Sequence, residues 1–222
     1  MRVYILVLFS LLIFGCAGTG GSKSGSENVQ MNDSQSGVDH SKMDHSNMGH
    51  GSMDHSKMAS SPGAAEAPID LQFIDSMIAH HQGAVDMAKL GIGRAGRAEM
   101  KTFCAAVIAD QEREITQMKR WRDEWFKNDG PAINVDFPGM REGMNGMDMS
   151  KLEALAGNDF DVEFVRQMIP HHEGALLMSQ ALIQRNDDKA PRPELKRLAE
   201  SIVKAQDLEI AQMKKWLAEW TK

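Results

Sequence analysis

Residues 70–87 read Asp70-x-x-Phe73-x-x-x-Met77-x-x-His80-His81-x-Gly83-Ala84-x-x-Met87. Residues 161–178 repeat that pattern as Asp161-x-x-Phe164-x-x-x-Met168-x-x-His171-His172-x-Gly174-Ala175-x-x-Met178. A second block follows each copy: Gln111-x-x-Glu114-Ile115-x-Gln117-Met118-Lys119-x-Trp121-x-x-x-Trp125, then Gln206-x-x-Glu209-Ile210-x-Gln212-Met213-Lys214-x-Trp216-x-x-x-Trp220. In all four blocks apolar residues recur at steps of three and four, and no strand-like alternation competes, so each reads as an amphipathic helix. A helical hairpin cannot bury an apolar face alone. Two of them packed together make an antiparallel four-helix bundle, the all-α fold expected here.

Working outward from the repeat gives the boundaries. Repeat one covers 69–127, repeat two 159–222, and a crossover of 128–158 joins them. Asp70 and either Asn158 or Asp159 are the expected N-caps. Gly91-Ile92-Gly93 is expected to end the first helix, and Pro191-Arg192-Pro193 to separate the third from the fourth. The crossover holds Pro131, Pro138 and several glycines. A short helix is expected from Ser150, because Ser150-x-x-Glu153 resembles a capping box. Pro170 lies inside the third helix where the first copy has Ala79, so a kink is expected there and the halves need not be equal.

The repeated positions carry unusual chemistry. At 100° per residue Phe73, Met77, His80, Ala84 and Met87 fall in an arc of about 80°, and His81 lies one turn from Met77. Phe164, Met168, His171, Ala175, Met178 and His172 repeat this. On the partner helices Gln111, Glu114, Met118 and Trp125 form a matching face, repeated by Gln206, Glu209, Met213 and Trp220. Methionine at helical spacing is more often packing than ligand, and a single inward histidine more often belongs to the core. A doubled His-His after Met in both halves is harder to assign to packing, since each buried imidazole costs about 1–3 kcal/mol unless partnered. Glu114 and Glu209 are natural acceptors to orient ligating imidazoles. Gly83 and Gly174 each cost a helix about 1 kcal/mol, so they are expected to permit close helix approach.

The ligand types argue for a particular metal. Di-iron bundles use Glu-x-x-His; here the spacing reads Met77-x-x-His80 and Met168-x-x-His171. Replacing hard carboxylate by soft thioether moves preference towards Cu(I), with Ag(I) as a mimic. Zinc would bring cysteines or carboxylates beside the histidines. Cys104, whose counterpart is Ala199, reads as core filler. The crossover also carries Met140, Met144, Met147 and Met149 among Gly, Asn and Asp; that setting is hard to explain by packing, and soft-metal binding is an alternative.

Towards the N-terminus a pentapeptide recurs four times over residues 39–58, each unit supplying one imidazole and one thioether: His40 and Met43, His45 and Met48, His50 and Met53, His55 and Met58. So polar a segment has no core for its methionines to fill. Spacers built for reach use Gly, Ser or Pro instead, so metal binding is favoured over a solvated spacer. Residues 16–68 therefore read as a disordered, Met/His-rich tether. Residues 1–15 resemble a secretory signal, with Arg2 before the apolar run from Val3 to Phe14. Gly15-Cys16 resembles a lipobox, which would make Cys16 a lipidated first residue and anchor an exported, periplasmic protein to a membrane. The net charge is −6 with no basic stripe, so nucleic acid is not an expected partner.

The motif Phe-x3-Met-x2-His-His-x-Gly-Ala-x2-Met, followed by Gln-x2-Glu-Ile-x2-Met-x2-Trp, resembles the bacterial family named domain of unknown function 305, over about residues 69–222 in two copies. The resemblance implies a ferritin-like four-helix bundle, export, and copper or silver binding of the kind that supports copper resistance. It implies ligand roles for His80, His81, His171, His172 and nearby methionines. The reading reached is a periplasmic copper(I)/silver(I)-binding protein for sequestration, resistance or transfer, not an enzyme, with the metal ion and other periplasmic copper-handling proteins as the expected partners. Rival readings are a metal-dependent ferritin-like oxidase and a structural bundle without metal.

Overall fold

The computed structural model describes residues 58–186 and 190–222. The signal-like segment, Cys16 and all of the pentapeptide ligands except Met58 lie outside them. Four long helices dominate: α1 (Ile69–Arg94), α2 (Ala98–Trp125), α5 (Gly157–Ile183) and α6 (Pro193–Trp220). Two short helices, α3 (Met140–Met144) and α4 (Met149–Ala154), lie in the crossover. α1 pairs with α2 and α5 with α6, while α1 and α5 meet each other and share α3. This is the four-helix bundle of two hairpins. Among the described residues no helix is long and apolar enough to cross a membrane.

Several local expectations are corrected. The first helix does not stop at Gly91; it runs to Arg94. Gly91 is there for space, because a Cβ on it would stand 2.3 Å from Cys104 Sγ. Ser150 does not cap α4. Asp148 does, accepting from Lys151 N at 2.9 Å, and Ser150 Oγ donates to the same carboxylate at 2.7 Å. Met140 and Met144 are buried and belong to the core, so packing does account for them, and Met147 lies almost fully buried beside them. α3 was not expected. It forms because Gly174 lets it dock closely: a Cβ on Gly174 would lie 2.6 Å from Gly139 O and from Gly143 Cα. Packing also extends ahead of residue 69. Met58 rests against the core, Ser61 N donates to Ile133 O at 2.8 Å, and Ser60 Oγ accepts from Val135 N at 3.0 Å.

The two hairpins are joined by a reciprocal clasp. Neither Asp70 nor Asn158 nor Asp159 caps its own helix; α1 and α5 begin after Pro68 and Ala156 with no side-chain cap. Asp161 on α5 instead accepts from Gly96 N, Arg97 N and Arg97 Nη1, each at 3.0 Å, at the start of α2. Asp70 on α1 accepts from Arg192 N at 3.3 Å and Arg192 Nη1 at 2.7 Å, at the start of α6. Each arginine then lies over a tryptophan, Arg97 over Trp220 at 4.3 Å and Arg192 over Trp125 at 4.7 Å. Every hairpin thus caps the second helix of the other, which locks the register of the central helices.

Candidate metal centre

The doubled histidines divide into two kinds by direction. His80 and His171 turn inward and meet where α1 crosses α5, with ring centroids 3.8 Å apart and planes tilted by 39°. His171 Nε2 donates to the His80 carbonyl oxygen at 3.1 Å. His81 and His172 turn into their own hairpins. His81 Nε2 lies 2.7 Å from Glu114 Oε2, and His172 Nε2 lies 2.7 Å from Glu209 Oε2. A carboxylate can only accept, so Nε2 carries the hydrogen in both, and in the neutral ring that leaves the lone pair on Nδ1. All four rings are fully buried. The Nδ1 atoms of His81, His171 and His172 have no hydrogen-bond partner.

Burial, followed by the neighbouring His80, His172 and His81, pushes the His171 imidazole well below its ordinary range. It is therefore neutral, the state in which imidazole ligates metal. A buried lone pair without a donor is costly in a structural core and useful in a metal site.

Helix register brings thioethers to the same places. His81 faces Glu114, and ten residues on Gly91 faces Cys104, so the α1–α2 pairing is in step over that length. One turn in the opposite direction places Met77 across from Met118. The same count places Met168 across from Met213 in the second hairpin. All four methionines have no exposed surface. Each hairpin thus holds a bare imidazole nitrogen one turn from a facing pair of thioethers, with a carboxylate behind the ring. Met87 and Met178 are buried as well, two turns beyond the central histidines, but by the same register face Ile108 and Val203 and so have no thioether opposite. Met58 rests partly buried on the core.

Among the described residues no three His, Cys, Asp or Glu side chains converge as a hard-metal cage would require. The donor set therefore fits a soft ion that accepts thioether and imidazole, and does not fit iron or zinc. Cys104 is a poor candidate ligand. Burial, with help from Asp161, pushes its thiol up to about 12, and its Sγ lies 3.8 Å from Met100 Sδ.

One part of the centre was not read from the sequence. The crossover is fastened at both ends by equivalent positions of the repeat, Ser76 and Gln167. Ser76 Oγ accepts from Asn134 N at 2.9 Å, and Gln167 Oε1 accepts from Asp148 N at 2.9 Å. Between these ties the strap lies over the central imidazoles. A Cβ on Gly143 would stand 2.4 Å from His80 Nε2. The equivalence of Ser76 and Gln167 was visible in the repeat offset, but their different chemistry hid it.

Comparison with known proteins agrees with this architecture. The family model described as "Domain of unknown function (DUF305)" matches residues 21–122 and 70–217. The solved structure of CopM in its Cu(II)-bound form is 40% identical, covers 68% of this chain and 97% of its own, and superposes with a TM-score of 0.57. CopM in its Cu(I)-bound form is 38% identical over 69% of this chain and 98% of its own, also with a TM-score of 0.57. CopM has further been solved in silver-bound forms. A DUF305 protein from Streptomyces coelicolor is 30% identical, covers 69% of this chain and 94% of its own, and gives a TM-score of 0.59. No curated protein matches the chain. The duplicated motif, the two-hairpin bundle and these matches agree: the chain belongs to the DUF305 family.

Proposed function

We propose that this protein binds Cu(I), and Ag(I) in its place, as cargo for sequestration or transfer. The observation that carries the reading is the pair of buried imidazoles whose Nε2 is held by a carboxylate at 2.7 Å while Nδ1 has no partner. His81 with Met77 and Met118, and His172 with Met168 and Met213, are the ligand sets. Glu114 and Glu209 orient the rings. Such a carboxylate fixes the tautomer and raises ligand basicity. The CopM structures in copper- and silver-bound forms support the choice of ion, and the description of the Streptomyces coelicolor relative as secreted, with the signal-like start of this chain, supports export. On this reading the pentapeptide segment captures ions and raises their concentration near the bundle, and Cys16 anchors the chain to a membrane. The role is binding, without turnover; a ferritin-like oxidase would consume oxygen when loaded with metal.

The test is titration with Cu(I) against a competing chelator, for the wild type, His81→Ala, His172→Ala and the double variant. Each single variant should lose one tightly held equivalent and the double variant two, with helical content unchanged. Equal stoichiometry in the wild type and the double variant would remove these histidines from the centre. The close packing of His80 against His171 favours a structural role for His80 in docking the hairpins. That role predicts that His80→Ala lowers stability and spares those two equivalents.

A further inference from the structure

The strap breaks the twofold symmetry of the repeat, and it does so at the two glycines that the halves share. On one side Gly174 receives strap backbone, with Gly143 Cα pressed against it. On the other side Gly83 receives a side chain. A Cβ on Gly83 would stand 3.0 Å from Met147 Cε, 3.1 Å from Met147 Sδ and 3.4 Å from His171 Nε2. A thioether and an imidazole edge thus share one small space that exists only because residue 83 has no side chain. The Nε2 edge of His171 borders this space while donating to the His80 carbonyl at 3.1 Å.

Exposure separates Met147 from the other interior thioethers. Met77, Met87, Met118, Met140, Met168, Met178 and Met213 have no exposed surface, whereas Met147 retains 7% and Met149, just beyond it, is half-buried. Met147 also sits between two short helices, where the backbone is held by one turn bond from its own N–H to Met144 O at 3.2 Å and by the Gln167 tie at Asp148. Among the buried methionines of the described residues it keeps the most exposed surface.

We propose that Met147 and the Nε2 edge of His171 form a third soft-metal site, present on one side of the bundle only, and that a monovalent copper or silver ion occupies it. The site rests on the reading of the protein as a Cu(I) and Ag(I) binder. The ion replaces the 3.1 Å hydrogen bond between His171 Nε2 and the His80 carbonyl. The ring proton moves from Nε2 to Nδ1, so none is released. Gly83 serves the site by leaving room for the sulfur.

The test is Ag(I) titration of the full chain carrying 13C-methyl methionine and 15N histidine, with the Met147 methyl identified by its loss in Met147→Leu. The expected result is that the Met147 methyl and the His171 ring nitrogens shift together, at the same equivalents. In Gly83→Ala, whose new methyl displaces the flexible thioether, the Met147 shift should vanish while the Met77 and Met118 methyls still respond. A Met147 methyl that stays still while Met77, Met118, Met168 and Met213 respond would overturn this site and leave the proposed function standing. A Met147 response that survives Gly83→Ala unchanged would overturn the placement. No response from any bundle methyl, together with no retention of silver against a chelator, would overturn both.

Discussion

Replacing Asp161 by Ala should unfold the bundle more readily than any equally small change on its surface. The carboxylate is fully buried and accepts three hydrogen bonds, two from the backbone at the start of α2 and one from a guanidinium. Losing a capping side chain costs about 0.5–2 kcal/mol, and a hydrogen bond to a charged group contributes about 1.5–3 kcal/mol. Breaking a buried ion pair costs about 3–5 kcal/mol, but Arg97 keeps 23% of its side chain in solvent and can rehydrate in part. About 3 kcal/mol is the resulting expectation. Asp70 is the internal control. It makes two such bonds, one of them at 3.3 Å, to an arginine that is 42% exposed, so Asp70→Ala should cost about half as much, since exposed pairs contribute about 0–1 kcal/mol. Urea denaturation of both variants, stripped of metal by chelator, reads the difference from the midpoints at constant slope. The clasp is refuted as a structural device if Asp161→Ala costs less than about 1 kcal/mol, or if Asp70→Ala proves the more damaging of the two.

Gly91→Ala should destabilise the wild type, because its Cβ would meet Cys104 Sγ at 2.3 Å and overpacking costs about 1–3 kcal/mol. In a Cys104→Ala background the same change should become neutral or stabilising, the sulfur being gone and helix propensity gaining about 1 kcal/mol; equal effects in both backgrounds would refute the contact. The Cys104 thiol, pushed up to about 12, should resist iodoacetamide at pH 8 in the folded protein and react on unfolding. The fold binds the thiol proton more tightly than the unfolded chain does, so this group's stabilisation is complete below pH 9 and is lost as pH rises towards 12; pH-dependent melting of the wild type against Cys104→Ala checks the sign.

The bundle and the hairpin pairing were legible because they rest on local periodicity written twice. The facing of His81 with Glu114 and of His172 with Glu209 follows from the same spacing. What escaped the sequence depends on partners far apart in the chain. Asp70 has the look of an N-cap, since an acidic residue at a helix start satisfies that rule locally. Its true partner, Arg192, lies in the other hairpin, as Arg97 does for Asp161, and no short pattern ties either pair together. Gly91 looks like a helix breaker because its propensity cost is local, whereas the sulfur that requires it belongs to α2. Met140 and Met144 stand among loop residues and acquire a core only when α3 docks on Gly174.

These misreadings share a physical cause that bears on the centre itself. A duplicated sequence encodes a twofold arrangement, and the lateral imidazoles with their carboxylates and thioethers obey it. The crossover has no duplicate, so whatever it covers must become unequal. It lays backbone on Gly174 and a thioether on Gly83, two positions that the repeat makes equivalent. A protein that hands on a tightly held ion benefits from sites of unequal exposure, since an ion held equally everywhere has no direction in which to leave. The repeat can supply matched deep sites, and the unpaired strap can supply the difference between them. On the proposed reading the residues that set the direction of ion movement are in the crossover, outside the repeated motif.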